Sequence, residues 1–131
     1  GLSRLGLDLS GLVARALPYS FFLPAPAQGA LALQIRADDT ELKRRIGPLN
    51  HHETEIAVCA ERAFLRHFGG GCHIPLGAFA YLGDAGICLS GMIASTDGAK
   101  LLRETITGAD PDAIGESLAR TLKDRGADAL L

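Results

Sequence analysis

Residues 76–93 read LGAFAYLGDAGICLSGMI, and they decide the fold of this chain. The hydrophobic period is two residues from Leu76 to Leu82 and again from Ile87 to Ile93, which predicts two strands that each bury one face. Between them, Gly83-Asp84-Ala85-Gly86 supplies residues that hairpin turns prefer. We therefore predict an antiparallel hairpin with a core on one side.

The residues after this hairpin predict one further strand and a closing helix. Asp97-Gly98 is a turn signal, and the stretch from Lys100 to Thr107 then fits a third strand. Asp110 and Pro111 indicate a helix start, because aspartate caps a helix and proline is tolerated in its first turn. Gly126 should end this helix. Its inner stripe should contain Ile114, Leu118, Thr121 and Leu122.

Two helices are predicted before the hairpin. Asp38 to Ile46 fits a short helix that Asp38 or Asp39 caps, and a longer helix should run from about His52 to Phe68, where three glycines end it. Cys88, in the second strand, is assigned to the core, because free cysteine is among the most buried residue types. The buried stripe of the longer helix should contain Ile56, Cys59, Ala60, Ala63 and Phe64.

The first 35 residues have no domain pattern of their own. Pro24-Ala25-Pro26 must be extended, because proline fixes its own φ and restricts the residue before it, and Ala30 to Arg36 then fits a short strand. Residues 1–35 thus contain only a helix end, a proline-rich segment and a short strand. Residues 36–131 should form a small α+β domain, with a three-stranded antiparallel sheet and helices on one face.

Composition excludes several classes of function. The 131 residues carry a net charge of −2, with 5% aromatic residues and no Trp, so we expect no nucleic-acid partner. The uncharged stretch from Ala16 to Ile35 contains three prolines, which oppose a membrane-spanning helix. Three cysteines are a small and odd number for a disulfide scaffold, so we expect a protein of the reducing cytoplasm. Without an initiator Met or a signal peptide, the chain is expected to be a fragment or a processed product.

The most concentrated chemical feature is the run Gly-Gly-Gly-Cys-His-Ile-Pro at residues 69–75. Glycines let a backbone approach a ligand closely, and a loop thiol such as Cys72 becomes a nucleophile when its pKa is lowered. The alternative interpretation of Cys72 is a small, half-buried apolar residue. Arg36 fits either an anion contact or a solvated strand end, and the sequence leaves both open. The histidines lack any standard spacing of zinc ligands, so we predict no metal site.

Four further segments form a recognisable set: Leu23 to Ala32, Asn50 to Thr54, Ala60 to Leu65 and Gly70 to Gly77. Together they resemble the porphobilinogen deaminase family, also called hydroxymethylbilane synthases. Their order and spacing match the family over nearly the whole chain. In this family the residue before the matched Gln28 is usually glycine, whereas this chain has Ala27.

The resemblance implies a cytoplasmic transferase of tetrapyrrole (haem) biosynthesis, which polymerises four porphobilinogen molecules with release of ammonia. It implies that Cys72 holds a dipyrromethane cofactor through a thioether, while Gly70 and Gly71 give the loop freedom. Gln28 and Arg36 would contact carboxylates of the cofactor or of the growing polypyrrole. Family chains have three domains. The resemblance implies that residues 1–35 are a remnant of the neighbouring α/β domains, with the end of domain two and the returning strand of domain one. The rest of domains one and two, with the catalytic aspartate, is expected outside this chain. We therefore predict no catalytic residue, no cofactor and no turnover in the isolated chain.

Two other classes of function remain as alternatives. One is a non-enzymatic α+β regulatory module whose glycine-rich loop binds a ligand or a metal. The other is a redox thiol switch, although no second cysteine stands at C-x-x-C spacing. The family interpretation differs from both in one respect that a structure can test, because it predicts an exposed apolar surface from Leu2 to Leu33.

Overall fold

Three antiparallel strands form the sheet of the computed structural model, which describes residues 2–69 and 74–131. They are β1 (Leu76–Gly83), β2 (Gly86–Ala94) and β3 (Leu101–Gly108), and β2 lies in the middle. The hairpin turn is Asp84-Ala85, because Gly83 pairs with Gly86 across it. The predicted hairpin and the predicted third strand are therefore confirmed.

Two long helices cover one face of this sheet. They are α3 (His52–Arg66) and α4 (Pro111–Asp124), and the shorter helices α1 (Leu2–Leu5) and α2 (Thr40–Ile46) precede them. The side chains buried between the helices and the sheet include Ala60, Phe64, Phe68, Ala78, Leu89, Ile93, Ile114, Leu118 and Leu122. The arrangement confirms the predicted α+β fold, and α4 buries its predicted stripe except for the half-buried Thr121.

Each of the α-helices α2, α3 and α4 begins at a side chain that accepts a hydrogen bond from a backbone amide of its first turn. Asp39 caps α2 by accepting from the Leu42 amide at 3.0 Å, and Asp110 caps α4 by accepting from the Ala113 amide at 2.7 Å. His51 caps α3 through its Nδ1, which lies 3.3 Å from the Thr54 amide nitrogen. A short 3₁₀ turn, Gly47–Leu49, joins α2 to the extended residue before this cap.

The assignments of Cys59 and Cys88 to the core are wrong. Cys59 is exposed on α3, and Cys88 is half-buried on the face of β2 opposite the helices. Successive helical residues are about 100° apart, so Cys59 lies about 100° from Ala60 and about 140° from Phe64, outside the stripe that packs on the sheet. The spacing of apolar residues in the sequence predicted a wider buried stripe on α3 than the sheet covers.

The predicted strand from Ala30 to Arg36 is also wrong. These residues have no strand assignment, because a strand needs a pairing neighbour and no described strand runs beside them. The predicted apolar surface is confirmed, since large apolar side chains are exposed at Leu5, Leu7, Leu12, Val13, Leu17, Phe21, Phe22, Leu31 and Leu33. Within the described ranges, no helix is both long and apolar enough to cross a bilayer.

Candidate functional site

A cleft of about 560 Å³ lies between α3, β1 and the segment of residues 17–30. Its walls are mainly apolar and aromatic, and polar groups come from a few side chains and from backbone. The residues that line it include Tyr19, Phe22, Ala27, Gln28, Thr54, Glu61, Phe79 and Ala80. A concave, largely apolar site with a few polar groups is the usual form of a ligand site.

The wall of this cleft contains a buried carboxylate. Glu61 is the one buried charged side chain among the described residues, with 6% of its surface exposed. Its Oε2 accepts a hydrogen bond from the Ala27 amide at 2.6 Å, and its Oε1 accepts one from the Ala80 amide at 2.8 Å. One carboxylate therefore joins three parts of the chain, namely α3, the edge strand β1 and the loop before α2.

The protonation of Glu61 reflects two opposing effects. Burial raises the pKa of its carboxyl above the ordinary value of 4.5, because a charged oxygen loses hydration in the protein interior. The hydrogen bonds from Ala27 and Ala80 lower that pKa in turn, because they stabilise the charged form, but the effect of burial is larger. The carboxylate is thus held by amide dipoles rather than by a cationic side chain.

Two successive tight turns place Gln28 in the cleft. The Gln28 amide donates to the Ala25 carbonyl at 3.0 Å, and the Ala30 amide donates to the Ala27 carbonyl at 3.1 Å. Ala27 has φ +61°, a left-handed conformation that a type II turn requires at this position and that glycine adopts most easily. The Gln28 side chain reaches back, and its Oε1 accepts from the Ala25 amide at 3.1 Å.

The segment that carries these turns is attached to the sheet on the face opposite the helices. The ring of Tyr19 stacks on Phe79 with centroids 3.8 Å apart. Arg103 of β3 donates to the carbonyl oxygens of Ser20 at 2.7 Å and Tyr19 at 2.9 Å. Leu23 is buried above Gly77, where a Cβ would lie 3.0 Å from the Leu23 Cβ. The proline-rich segment therefore packs against the α+β unit although its neighbours in sequence are exposed.

The predicted site residues are distributed unevenly. Gln28 lines the cleft, whereas Arg36 is not among the residues that line it. The Arg36 side chain is 83% exposed, and its Nη2 lies 3.7 Å from the Oδ2 of Asp39. Gly70, Gly71 and Cys72 lie outside the described residues, in the connection between α3 and β1. Within residues 2–69 and 74–131, no group of three or more His, Cys, Asp or Glu side chains could hold a metal ion.

A second groove of about 660 Å³ adjoins the cleft, and Ala27 and Gly29 line both. Its apolar wall includes Leu31, Leu33 and Ile46. Its polar and charged residues are Lys43, Asn50, His51, Thr54, Glu55 and Arg62. Lys43 and Arg62 give this groove two cationic side chains, which are the groups that bind carboxylates.

Sequence reasoning did not predict the role of Glu61. A signal was present, because the positions three and four residues away on α3 are all apolar: Ala57, Val58, Phe64 and Leu65. An acidic residue surrounded in this way faces a buried environment and needs hydrogen-bond donors there. The donors themselves could not be predicted, because they are backbone amides of residues far away in the sequence.

Two family models match the chain. The one described as "Porphobilinogen deaminase, dipyromethane cofactor binding domain" matches residues 1–44, and the one described as "Porphobilinogen deaminase, C-terminal domain" matches residues 55–124. Residues 45–54 lie between the two matches. The matches therefore do not test the predicted domain division after residue 35, which stays a prediction. The second match contains α3 from Glu55 onward, the glycine-rich connection, the whole sheet and α4.

Curated relatives carry the same name. The porphobilinogen deaminase of Geobacillus kaustophilus is 41% identical over 131 residues, that of Moorella thermoacetica 42% over 133, and that of Chromobacterium violaceum 44% over 133. Each alignment covers 100% of this chain and 42% of the relative, so the chain spans less than half the length of these proteins. The chain belongs to the porphobilinogen deaminase family.

Proposed function

We propose that this chain is the C-terminal portion of an enzyme that polymerises four porphobilinogen molecules into hydroxymethylbilane in the cytoplasm. The observation that carries this proposal is the order of the two family matches over one chain, with the run Gly70-Gly71-Cys72 between α3 and β1 in the second. Domains one and two of the same polypeptide would supply the catalytic aspartate. They would also cover the exposed apolar side chains between Leu5 and Leu33.

Within this proposal, Cys72 is the attachment point of a dipyrromethane cofactor. A thiolate is a soft nucleophile, so its Sγ is suited to form a thioether with the aminomethyl carbon of a porphobilinogen, whose carbon–nitrogen bond breaks with release of ammonia. When bound, the group supplies the covalent anchor on which the polypyrrole grows. Gly70 and Gly71 would let the loop follow the lengthening chain.

The described residues fit an acidic ligand of this kind. The Gln28 oxygen is occupied by the Ala25 amide, which leaves the Nε2 group as the donor that a carboxylate needs. The exposed guanidinium of Arg36 is able to bind a carboxylate in a forked geometry. Lys43 and Arg62 add positive charge in the adjoining groove. Gln28, Arg36, Gly70, Gly71 and Cys72 remain the proposed cofactor and substrate contacts.

The attachment site is tested by mass spectrometry of the full-length enzyme that contains this sequence. We expect a two-pyrrole adduct on the peptide that contains Cys72, its loss in Cys72→Ser, and its retention in Cys59→Ser. Cys59 is a matched control because it is an exposed thiol on α3. An active full-length enzyme with an unmodified Cys72 would contradict the assignment.

The isolated chain is proposed to be inactive, because it spans 42% of the length of its relatives. Hydroxymethylbilane formation is measured for the 131-residue chain and for the full-length enzyme at equal concentration. Turnover by the 131-residue chain alone would refute this part of the proposal. Equilibrium dialysis with zinc, with and without Cys72→Ser, separates the metal-binding regulatory module, which predicts tight binding that depends on Cys72.

A further inference from the structure

We propose that Glu61 is a positioning residue, which holds the turn at residues 25–28 against β1 and so presents the Gln28 carboxamide to the ligand. The contact of Gln28 with the cofactor or substrate rests on the proposed function. The hold of Glu61 on the turn rests on geometry alone. The two parts can therefore fail separately.

The first step of the argument concerns the hydrogen bonds. Each oxygen of the Glu61 carboxylate serves a different part of the chain: Oε2 accepts from Ala27 in the turn, and Oε1 accepts from Ala80 in β1. An apolar residue at this position would leave the buried Ala80 amide and the half-buried Ala27 amide without an acceptor, which is unfavourable. The carboxylate thus accepts a hydrogen bond from each of the two amides and connects the turn to the sheet.

The second step concerns the edge of the sheet. β1 is an edge strand, and its outward amides need acceptors that no fourth strand of the described sheet supplies. The Ala78 amide donates to the Pro24 carbonyl at 2.9 Å, and the Ala80 amide donates to Glu61. The proline-rich segment and Glu61 therefore occupy the same edge side by side, which fixes where the turn begins.

The third step concerns Ala27. An L-residue at φ +61° is less stable than in the right-handed region, so the turn needs an external contact to keep this conformation. The hydrogen bond from its amide to Glu61 is such a contact. Gln28 is the next residue, and its side chain lines the cleft, so a movement of Ala27 displaces the Gln28 carboxamide.

The hold on the turn is tested by amide hydrogen exchange in the 131-residue chain. In Glu61→Gln the side chain keeps its size but presents an NH₂ group in place of one acceptor oxygen. We expect exchange at the Ala27 or Ala80 amide to accelerate roughly tenfold or more, since a hydrogen bond to a charged acceptor is lost. The exposed Glu53→Gln on the same helix is the control. Equal protection of both amides in the two variants would overturn the proposal.

A measurement on the unmodified chain covers the case in which Glu61→Gln does not fold. The amide proton shifts of Ala27 and Ala80 should follow one common titration on acidification, with a midpoint above 4.5, because both amides bond to one carboxylate whose pKa burial raises. Among the described residues, Tyr19 is the other titratable side chain that lines the cleft. Independent or absent titrations would contradict a shared acceptor.

The link to Gln28 is tested by kinetics of the full-length enzyme. We expect Glu61→Gln and Gln28→Ala each to raise the KM for porphobilinogen roughly tenfold, the loss of one hydrogen bond, and the double variant to raise it no further than Gln28→Ala alone. Additive effects, or a loss of thermal stability with an unchanged KM, would overturn the positioning role. If the unmodified full-length enzyme has no activity, the proposed function fails. The exchange experiment would still show whether Glu61 holds the turn against β1.

Discussion

The α+β unit and the segment before it use apolar residues in opposite ways. Between α3 and α4, large apolar side chains such as Phe64, Leu118 and Leu122 are fully buried. In residues 4–36, Val13, Phe21 and Leu31 are more than three-quarters exposed, and Leu23 is the buried exception among the large ones. The described residues therefore contain one core and one apolar surface that is attached to it at a few points.

The largest expected effect comes from the core. Phe64→Ala should lower the free energy of unfolding by about 3–5 kcal/mol, because a fully buried ring is replaced by a cavity. The matched change Phe21→Ala, at a ring that is 77% exposed, should alter it by about 0.5 kcal/mol or less. Urea denaturation measures both. Similar losses for the two variants would show that the segment has a core of its own.

A smaller loss is expected where α3 and α4 touch. A Cβ on Gly115 would collide with Ala63 and would lie 2.7 Å from the Phe64 backbone nitrogen. Gly115→Ala should therefore destabilise the fold by about 1–3 kcal/mol, although alanine is normally the better helix former. Ser117→Ala, at an exposed position of the same helix, is the control in the same denaturation experiment. A stabilised Gly115→Ala would mean that the helices are further apart than described.

Arg103 tests the attachment between the two regions. Arg103→Ala removes the donors to the Tyr19 and Ser20 carbonyls, and should release the segment with a global loss of only about 1 kcal/mol. Limited proteolysis should then cleave near Ser20 faster, with the α+β unit still intact. Lys100→Ala, an exposed residue just before β3, is the control. Unchanged cleavage would show that the Tyr19–Phe79 stack is sufficient to hold the segment.

The smallest effect is expected at Ala27. An alanine in a left-handed conformation is about 1–2 kcal/mol less stable than in a right-handed one, and glycine removes this strain. Glycine also has greater conformational entropy in the unfolded chain, which lowers the stability of the folded state by about 0.4–1 kcal/mol. Ala27→Gly should therefore stabilise the chain by up to about 1 kcal/mol, whereas Ala25→Gly, where φ is not positive, should destabilise it slightly. Thermal unfolding compares them. A loss of stability in Ala27→Gly would contradict the strain assigned to this turn.

Local patterns predicted the elements whose stability depends on neighbours in the sequence. The hairpin at Gly83–Gly86 and the cap at Asp110 were predicted because turn chemistry and capping act over three or four residues. For α2 the sequence left Asp38 and Asp39 as alternative caps, and the structure has Asp39. The stripe of α3 was predicted with an error at Cys59, because period alone does not determine which side of a stripe the sheet covers. Residues 30–36 were predicted as a strand from alternation, which does not reveal whether a partner strand exists.

The amino-acid sequence by itself determined the α+β order of elements and the resemblance that the family matches confirmed. It predicted the ends of the main helices and strands only to within about two residues, since α3 ends at Arg66 and not at Phe68, and α2 begins at Thr40 and not at Asp38. Only the tertiary structure decided that Glu61 is buried in the cleft wall, that Ala27 is left-handed, and that Gln28 and Arg36 lie in different surroundings. The physical reason is the range of the interactions. Periods, turns and caps act between near neighbours, whereas the Glu61 carboxylate is stabilised by the amides of Ala27 and Ala80, which come near it only when the chain has folded.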